Sequence, residues 1–132
     1  VGTAAVAAEL GVALENRFLP LDELGFGSAT IACLPGLTAG VTGTRGTILT
    51  LATITGTTRR ADELARGHPR AVAEAMEGFG VATAAAQANL PFAEIRAISN
   101  AVADRDVTGW DWRGGFAALS TAVSQLPGEE KQ

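Results

Sequence analysis

The middle of the chain shows a strand pattern, a helix pattern and a second strand pattern in succession. Residues 47–54 are apolar and β-branched, which predicts a buried strand that Gly56 ends. Residues 58–67 carry apolar side chains at helical spacing after Thr57 or Thr58, either of which is a suitable N-cap. Residues 71–75 again favour a strand.

The pattern continues through the second half of the chain. Residues 79–88 are rich in Gly and Ala, which predicts a narrow helix lying close to a sheet. Residues 92–98 predict another apolar strand. A final helix is predicted from apolar positions spaced i, i+3, i+7 and i+10, namely Phe116, Leu119, Val123 and Leu126.

The first part of the chain is less regular. Residues 1–12 fit a period of 2 and a period of 3.6 about equally, so a strand end and a short helix both stay open. Residues 15–28 show no sustained period and predict a long loop, which in compact domains is often functional. We expect one partial domain over residues 1–128 and a frayed tail at residues 129–132.

Strands that alternate with helices predict an α/β domain with a largely parallel sheet. Ligands of such domains gather beyond the carboxyl ends of the strands. Met76 and Glu77 follow one predicted strand and Asn100 follows another, so all three are expected at that edge.

Composition narrows the function classes. With 47% hydrophobic and 18% charged residues the chain is typical of a packed globular protein, and a net charge of −4 argues against nucleic-acid binding. The single cysteine, Cys33, is interpreted as a small buried hydrophobe in a reducing, cytoplasmic setting. No apolar run predicts a bilayer span, and no signal peptide is recognisable. A start without Met, inside a Val/Ala-rich run, suggests a fragment.

One constellation carries chemistry. The segment Ala75-Met76-Glu77-Gly78 is followed by Arg96-Ala97-Ile98-Ser99-Asn100, in which Asn100 lies 23 residues after Glu77. This pair resembles the signatures of the nucleoside phosphorylase and hydrolase superfamily. The longer runs 74–82 and 94–100, with 20–27 upstream, are similar to futalosine hydrolase in particular.

That resemblance implies a three-layer αβα sandwich with a mixed, mostly parallel sheet. It also implies hydrolysis of the N-glycosidic bond of futalosine, in menaquinone biosynthesis, with release of hypoxanthine. A homo-oligomer without a cofactor or a metal is expected. Hydrolases of the superfamily position the attacking water with an acidic residue of their N-terminal half, and no such segment precedes Val1 in this sequence.

The resemblance also implies site residues. Met76 and Glu77 would hold the ribose, and Asn100 would hold the purine as the catalytic residue. Ile54 and Thr55 would flank the purine ring. A further candidate is the aromatic residue of the Gly-Phe-Gly loop, Phe26, as a wall near the substrate.

Elementary chemistry agrees with two of these roles. The carboxylate of Glu77 offers two acceptor oxygens to the two donors of a ribose diol, and it can favour positive charge that develops on the sugar. The amide of Asn100 offers donors to both N7 and O6 of a 6-oxopurine, which favours hypoxanthine over adenine.

Other conspicuous residues have plainer interpretations. Arg96 is interpreted as a partly buried structural arginine, satisfied by carbonyl groups or by an acid such as Glu74. His68 is assigned to a surface loop, and Trp110 and Trp112 to a surface or subunit interface. Alternative functions are another purine nucleosidase, a nucleoside phosphorylase, or a non-catalytic binding or oligomerisation domain.

Overall fold

A computed structural model describes residues 1–128, which form a four-stranded sheet, a separate hairpin and four helices. The strands are β1 (Gly2–Ala7), β2 (Gly11–Ala13), β3 (Phe18–Pro20), β4 (Thr30–Ala32), β5 (Gly46–Thr50) and β6 (Ala71–Ala75). The helices are α1 (Leu21–Leu24), α2 (Thr58–Gly67), α3 (Gly78–Gln87) and α4 (Trp112–Ser124), with 3-10 turns at Pro35–Thr38 and Val107–Gly109. The tail predicted at residues 129–132 lies outside the described residues.

The main sheet has the strand order β4-β1-β5-β6. β5 runs parallel to both of its neighbours, β1 and β6, whereas β4 runs antiparallel to β1. The predicted mixed, mostly parallel sheet is therefore confirmed, and the first segment of the chain is a strand. Thr50 at the end of β5 pairs with Ala75 at the end of β6. Residues that follow these two strands consequently emerge at the same edge of the sheet.

Helices cover both faces of this sheet. On one face Val6 and Leu49 pack with Leu64 of α2. On the other face Ala5 packs with Ala82 of α3. Ala5 and Val6 are neighbours in β1 and point to opposite faces, as the pleat of a strand requires. The result is the three-layer arrangement that the sequence predicts.

Two small residues, Ala82 and Cys33, pack on the face of the sheet that α3 covers. Ala82 is fully buried, so α3 approaches the sheet as closely as a helix with methyl side chains allows. Cys33 belongs to the same cluster and is buried, as predicted, and burial raises the pKa of its thiol. Both positions serve packing.

Helix α2 forms as predicted. The hydroxyl of Thr57 accepts a hydrogen bond from the backbone N–H of Arg60 at 3.2 Å, so Thr57 rather than Thr58 is the N-cap. The backbone N–H of His68 donates to the carbonyl of Leu64 and closes the last turn. His68 is half-buried there, and burial together with the charge of Arg60 lowers the pKa of its imidazole.

The prediction of an uninterrupted loop over residues 15–28 is wrong. β3 pairs antiparallel with β2, with Val12 opposite Leu19, and the short helix α1 follows at once. The carboxylate of Asp22 then accepts hydrogen bonds from the Ser28 hydroxyl at 2.6 Å and from the Ala29 amide at 2.9 Å. A hairpin strand of three residues is too short to show a period in the sequence.

The prediction of a strand over residues 92–98 is also wrong. The carbonyl of Phe92 accepts from the amide of Leu34, and the carbonyl of Glu94 accepts from the amide of Gly2. Because these contacts reach two different parts of the chain, no ladder with a single neighbour forms over this segment. The segment is irregular chain that contacts β1 and the residue segment after β4.

The final helix forms as α4, but its predicted apolar face stays largely uncovered in the described chain. Phe116 is 67% exposed and Val123 is 55% exposed. Gly115 is buried, because it lies where a side chain would reach Ser99. Among residues 1–128, no helix has both the length and the apolar character needed to cross a bilayer.

The closest backbone approach in the sheet gives a test of this packing. A Cβ atom at Gly46 would collide with the Val72 side chain and lie 2.6 Å from the Arg70 carbonyl oxygen. We expect Gly46→Ala to lower the free energy of unfolding by about 1–3 kcal/mol, measured by urea denaturation. The control is Gly36→Ala, where no atom lies within 4 Å of the new methyl group. Equal stability of the two variants would contradict the observed β5–β6 packing.

Candidate functional site

A cavity of about 430 Å³ opens beyond the carboxyl ends of β5 and β6. Its wall comes from the loop after β5, from β6 and the residues that follow it, and from the segment 96–106 with Trp110. The size lies within the range of small-molecule sites. Five of the predicted site residues line it together, namely Ile54, Thr55, Met76, Glu77 and Asn100. The structure thus brings both halves of the constellation to one cavity.

Phe26 is the predicted site residue that the structure does not bring to this cavity. Its ring is 79% exposed, in the turn between α1 and β4. β4 and β6 are opposite edges of the sheet, and the cavity lies on the β6 side. Because Asp22 ties its loop to Ser28 and Ala29, Phe26 is held at the far edge.

Glu77 is held by an ion pair. Its Oε2 lies 2.9 Å from an Nη of Arg96, and the Nε of Arg96 donates to Oε1 of Glu94 at 2.7 Å. Glu94 is 7% exposed, and the carboxylate packs against the Cα of Gly78, where a Cβ atom would collide with it. Its Oε2 has no hydrogen-bond partner within residues 1–128. A buried carboxylate with one unpaired oxygen depends strongly on the remaining charge partner.

Arg96 has the structural role that the sequence predicts, and it also holds a residue of the cavity wall, Glu77. Its buried acidic partner is Glu94 and not Glu74. Burial lowers the pKa of Arg96, but the hydrogen bonds and charges of Glu94 and Glu77 outweigh that effect and raise the pKa overall. Glu74 instead accepts a hydrogen bond from the backbone amide of Thr55 at 3.1 Å. Arg96 therefore links the core to the cavity, and Glu74 fixes the loop after β5.

Thr55 presents an unusual polar atom. The residue is only 8% exposed, and its hydroxyl has no hydrogen-bond partner in the described chain. Unpartnered buried hydroxyl groups are uncommon in folded proteins and call for a physical explanation. Thr55 lines the cavity, although this oxygen itself has almost no accessible surface. Ile54 is half exposed beside it and offers an apolar surface.

Asn100 is oriented by its neighbours. The hydroxyl of Ser99 donates to Oδ1 of Asn100 at 2.8 Å, and Nδ2 of Asn100 donates to the carbonyl of Ala101 at 3.0 Å. The Ser99 carbonyl in turn accepts from the amide of Asp111 at 2.7 Å. One N–H of the Asn100 amide stays free for a ligand, and a second contact requires release of the Ala101 carbonyl.

Sequence reasoning missed several residues of the cavity wall. Asp104, Arg105, Asp106 and Trp110 line it, although Trp110 was expected at a surface or an interface. The guanidinium carbon of Arg105 lies 5.4 Å from the centre of the Trp110 ring, and the Trp112 ring lies 5.1 Å from the Trp110 ring. The signal available in the sequence was the run of charged residues just after Asn100.

The described residues offer no evident metal site. Among residues 1–128, no three His, Cys, Asp or Glu side chains cluster closely enough to hold a metal ion. His68 and Cys33 do not line the cavity. The cavity wall offers carboxylates, an amide, hydroxyl groups and two guanidinium groups.

Comparison with known proteins identifies the family of the chain. The family profile of the phosphorylase superfamily matches residues 28–125. The chain belongs to the phosphorylase superfamily. Within this superfamily it is 48% identical over 130 residues to a futalosine hydrolase of Streptomyces coelicolor (strain ATCC BAA-471 / A3(2) / M145), a match that covers 96% of this chain and 55% of that protein.

A second relative of this phosphorylase superfamily member is a futalosine hydrolase of Acidothermus cellulolyticus (strain ATCC 43068 / DSM 8971 / 11B). It is 40% identical over 135 residues, again across 96% of this chain and 55% of the relative. The predicted family resemblance is confirmed. The chain spans about half the length of the curated relatives that it matches.

The ion pairs of Arg96 predict that two arginine substitutions differ strongly in their effect on stability. Arg96→Ala leaves the Glu94 carboxylate buried without its cation, so we expect a loss of about 3 kcal/mol in the free energy of unfolding. The control is Arg59→Ala, which breaks an exposed pair with Glu63 and should cost less than about 0.5 kcal/mol. Chemical denaturation measures both values. If the two variants lose the same stability, Arg96 does not anchor Glu94.

Proposed function

We propose that this protein binds a purine nucleoside in the cavity beyond β5 and β6. We propose further that it takes part in hydrolysis of the N-glycosidic bond of futalosine, with release of hypoxanthine. The observation that supports the proposal most is the placement of Glu77 and Asn100 on the wall of one cavity. One offers acceptors suited to a diol, and the other offers a donor suited to an oxopurine. The similarity to two futalosine hydrolases supports the choice of substrate class.

In this proposal the ribose lies on Met76 and Glu77. Met76 is half exposed at the cavity, where its thioether can cover the apolar face of the sugar. Arg96 holds Oε2 of Glu77, so the carboxylate is oriented before a ligand arrives. A fixed negative charge beside the sugar favours the positive charge that develops there as the glycosidic bond lengthens.

The purine lies between Ile54 and Thr55 on one side and Asn100 on the other. The free N–H of Asn100 can donate to N7 or O6 of hypoxanthine, which stabilises the departing base as it gains electron density.

The proposal does not assign the role of general base, the group that activates water, to a carboxylate of the cavity wall. Each carboxylate on the cavity wall already has a partner: Glu74 accepts from the Thr55 amide, Glu77 pairs with Arg96, Asp104 accepts from the Thr58 amide, and Asp106 accepts from Thr108. Each of these contacts occupies at least one oxygen of its carboxylate. We propose that water activation falls to a group other than these four carboxylates.

The reaction type is tested by product analysis. The purified protein is incubated with futalosine and with inosine, each with and without inorganic phosphate, and free hypoxanthine is measured by chromatography. Release that does not depend on phosphate supports hydrolysis, and phosphate-dependent release identifies a phosphorylase. Binding of hypoxanthine without any release supports the non-catalytic binding domain. A cytoplasmic location and a homo-oligomeric assembly stay predictions.

A first variant separates the sugar contact from the base contact. Glu77→Gln is expected to weaken inosine binding roughly tenfold to a hundredfold, because hydrogen bonds to a charged acceptor are lost, and to leave the affinity for free hypoxanthine within about twofold. Isothermal titration calorimetry measures both. The control is Glu63→Gln on the exposed face of α2. A parallel loss for inosine and hypoxanthine would contradict a ribose contact at Glu77.

A second variant tests the base contact. Asn100→Asp replaces a donor with an acceptor, so the ratio of hypoxanthine affinity to adenine affinity is expected to fall by about tenfold or more. Competition calorimetry with the two free bases measures this ratio. The control for the added charge is Asn16→Asp, in an exposed turn that does not line the cavity. An unchanged ratio in Asn100→Asp would rule out its assigned role.

A further inference from the structure

Arg105 differs from the other charged groups on the cavity wall. The four carboxylates there accept hydrogen bonds or form an ion pair, and Arg96 is shared by two acids. Within the described chain, Arg105 has no carboxylate within 4.0 Å. Its guanidinium is thus the cation at the cavity that keeps its hydrogen-bond donors unused.

The position of Arg105 is nevertheless fixed. Its backbone amide donates to the carbonyl of Gly56 at 3.2 Å, and the neighbouring Asp104 accepts from the amide of Thr58 at 2.8 Å. The guanidinium lies over the ring of Trp110, a contact typical of cation–π interaction. Backbone and side chain are both held before any ligand binds, which reduces the entropy lost on binding.

A guanidinium with one face on an aromatic ring keeps its N–H edge available. That edge matches two oxygens of a carboxylate or a phosphate in a bidentate contact. A nucleoside in this cavity has three ends, and the proposed function assigns its purine edge to Asn100 and its 2′,3′-diol to Glu77. The 5′ end is the one without a partner.

We propose that Arg105, held against Trp110, determines specificity by binding an oxyanion, a carboxylate or a phosphate group, at the 5′ end of the nucleoside. This inference rests on the proposed function, since it uses the orientation that Glu77 and Asn100 give the ligand. The same oxyanion chemistry would be met by free inorganic phosphate, and the experiment separates the two sources.

The test compares ligands that share a base and a sugar. Inosine, inosine 5′-carboxylate and inosine 5′-monophosphate are titrated by calorimetry, together with inorganic phosphate alone. The chain has two tryptophans, and these are Trp110 and Trp112, so quenching of tryptophan emission gives a second readout at Arg105 itself. The wild-type protein is expected to bind the two anionic nucleosides at least about tenfold more tightly than inosine.

Arg105→Gln is expected to remove that difference, so that inosine and its anionic derivatives bind with similar affinity. Arg105→Lys should retain part of it, because the charge remains and the fork geometry is lost. The control is Arg66→Gln, an exposed arginine of α2 that removes the same charge away from the cavity. The preference for anionic nucleosides should also weaken as NaCl is raised.

Three other outcomes overturn the inference in distinguishable ways. Equal binding of inosine and its anionic derivatives overturns the role of Arg105 and leaves the proposed function intact. Binding of inorganic phosphate that depends on Arg105, without a preference for anionic nucleosides, replaces the 5′ group with a free anion. If no nucleoside and no hypoxanthine binds, the proposed function fails together with the inference.

Discussion

The cavity depends on one buried negative charge. The carboxylate of Glu94 lies beneath the first residue of α3, where only the missing side chain of Gly78 leaves room for it. A charge in that position must be paired, and Arg96 pairs it from the direction of the cavity. The same guanidinium then reaches Glu77. The group that would meet a sugar is therefore oriented by the packing of the core.

Much of the fold follows from local sequence signals. The strand β5 and helix α2 are read from an apolar β-branched run and from a threonine N-cap, because both signals are local. Residues 92–98 look equally strand-like, yet their carbonyls bond to Gly2 and Leu34, which are far away in sequence. Apolar periodicity indicates which side chains are buried, but it does not indicate whether a neighbouring strand lies close enough to pair with the segment.

The same distinction separates the parts of the site that could be predicted. Glu77 follows β6, so the rule for the carboxyl ends of strands is enough to place it at the cavity. Asn100 reaches the same cavity although residues 92–98 form no strand, so its position does not follow from that rule. Phe26 lies in a loop whose path is set by Asp22 and by the edge position of β4, which no pattern in the sequence reveals. Arg105 and Trp110 meet because the chain folds back after Asn100, tied to the loop after β5 through Gly56 and Thr58. Contacts between two loops carry no periodic signature.

The fully buried methyl group of Ala82 has a consequence for how this protein can vary over evolution. The side of α3 that faces Ala5 accepts no side chain larger than that of alanine without moving the helix, and α3 begins directly after Glu77. A shift of the helix would carry Gly78 away from Glu94 and disturb the cavity. Sequence variation in α3 should therefore be concentrated on its exposed side, at positions such as Val81, while the side that faces the sheet keeps small residues.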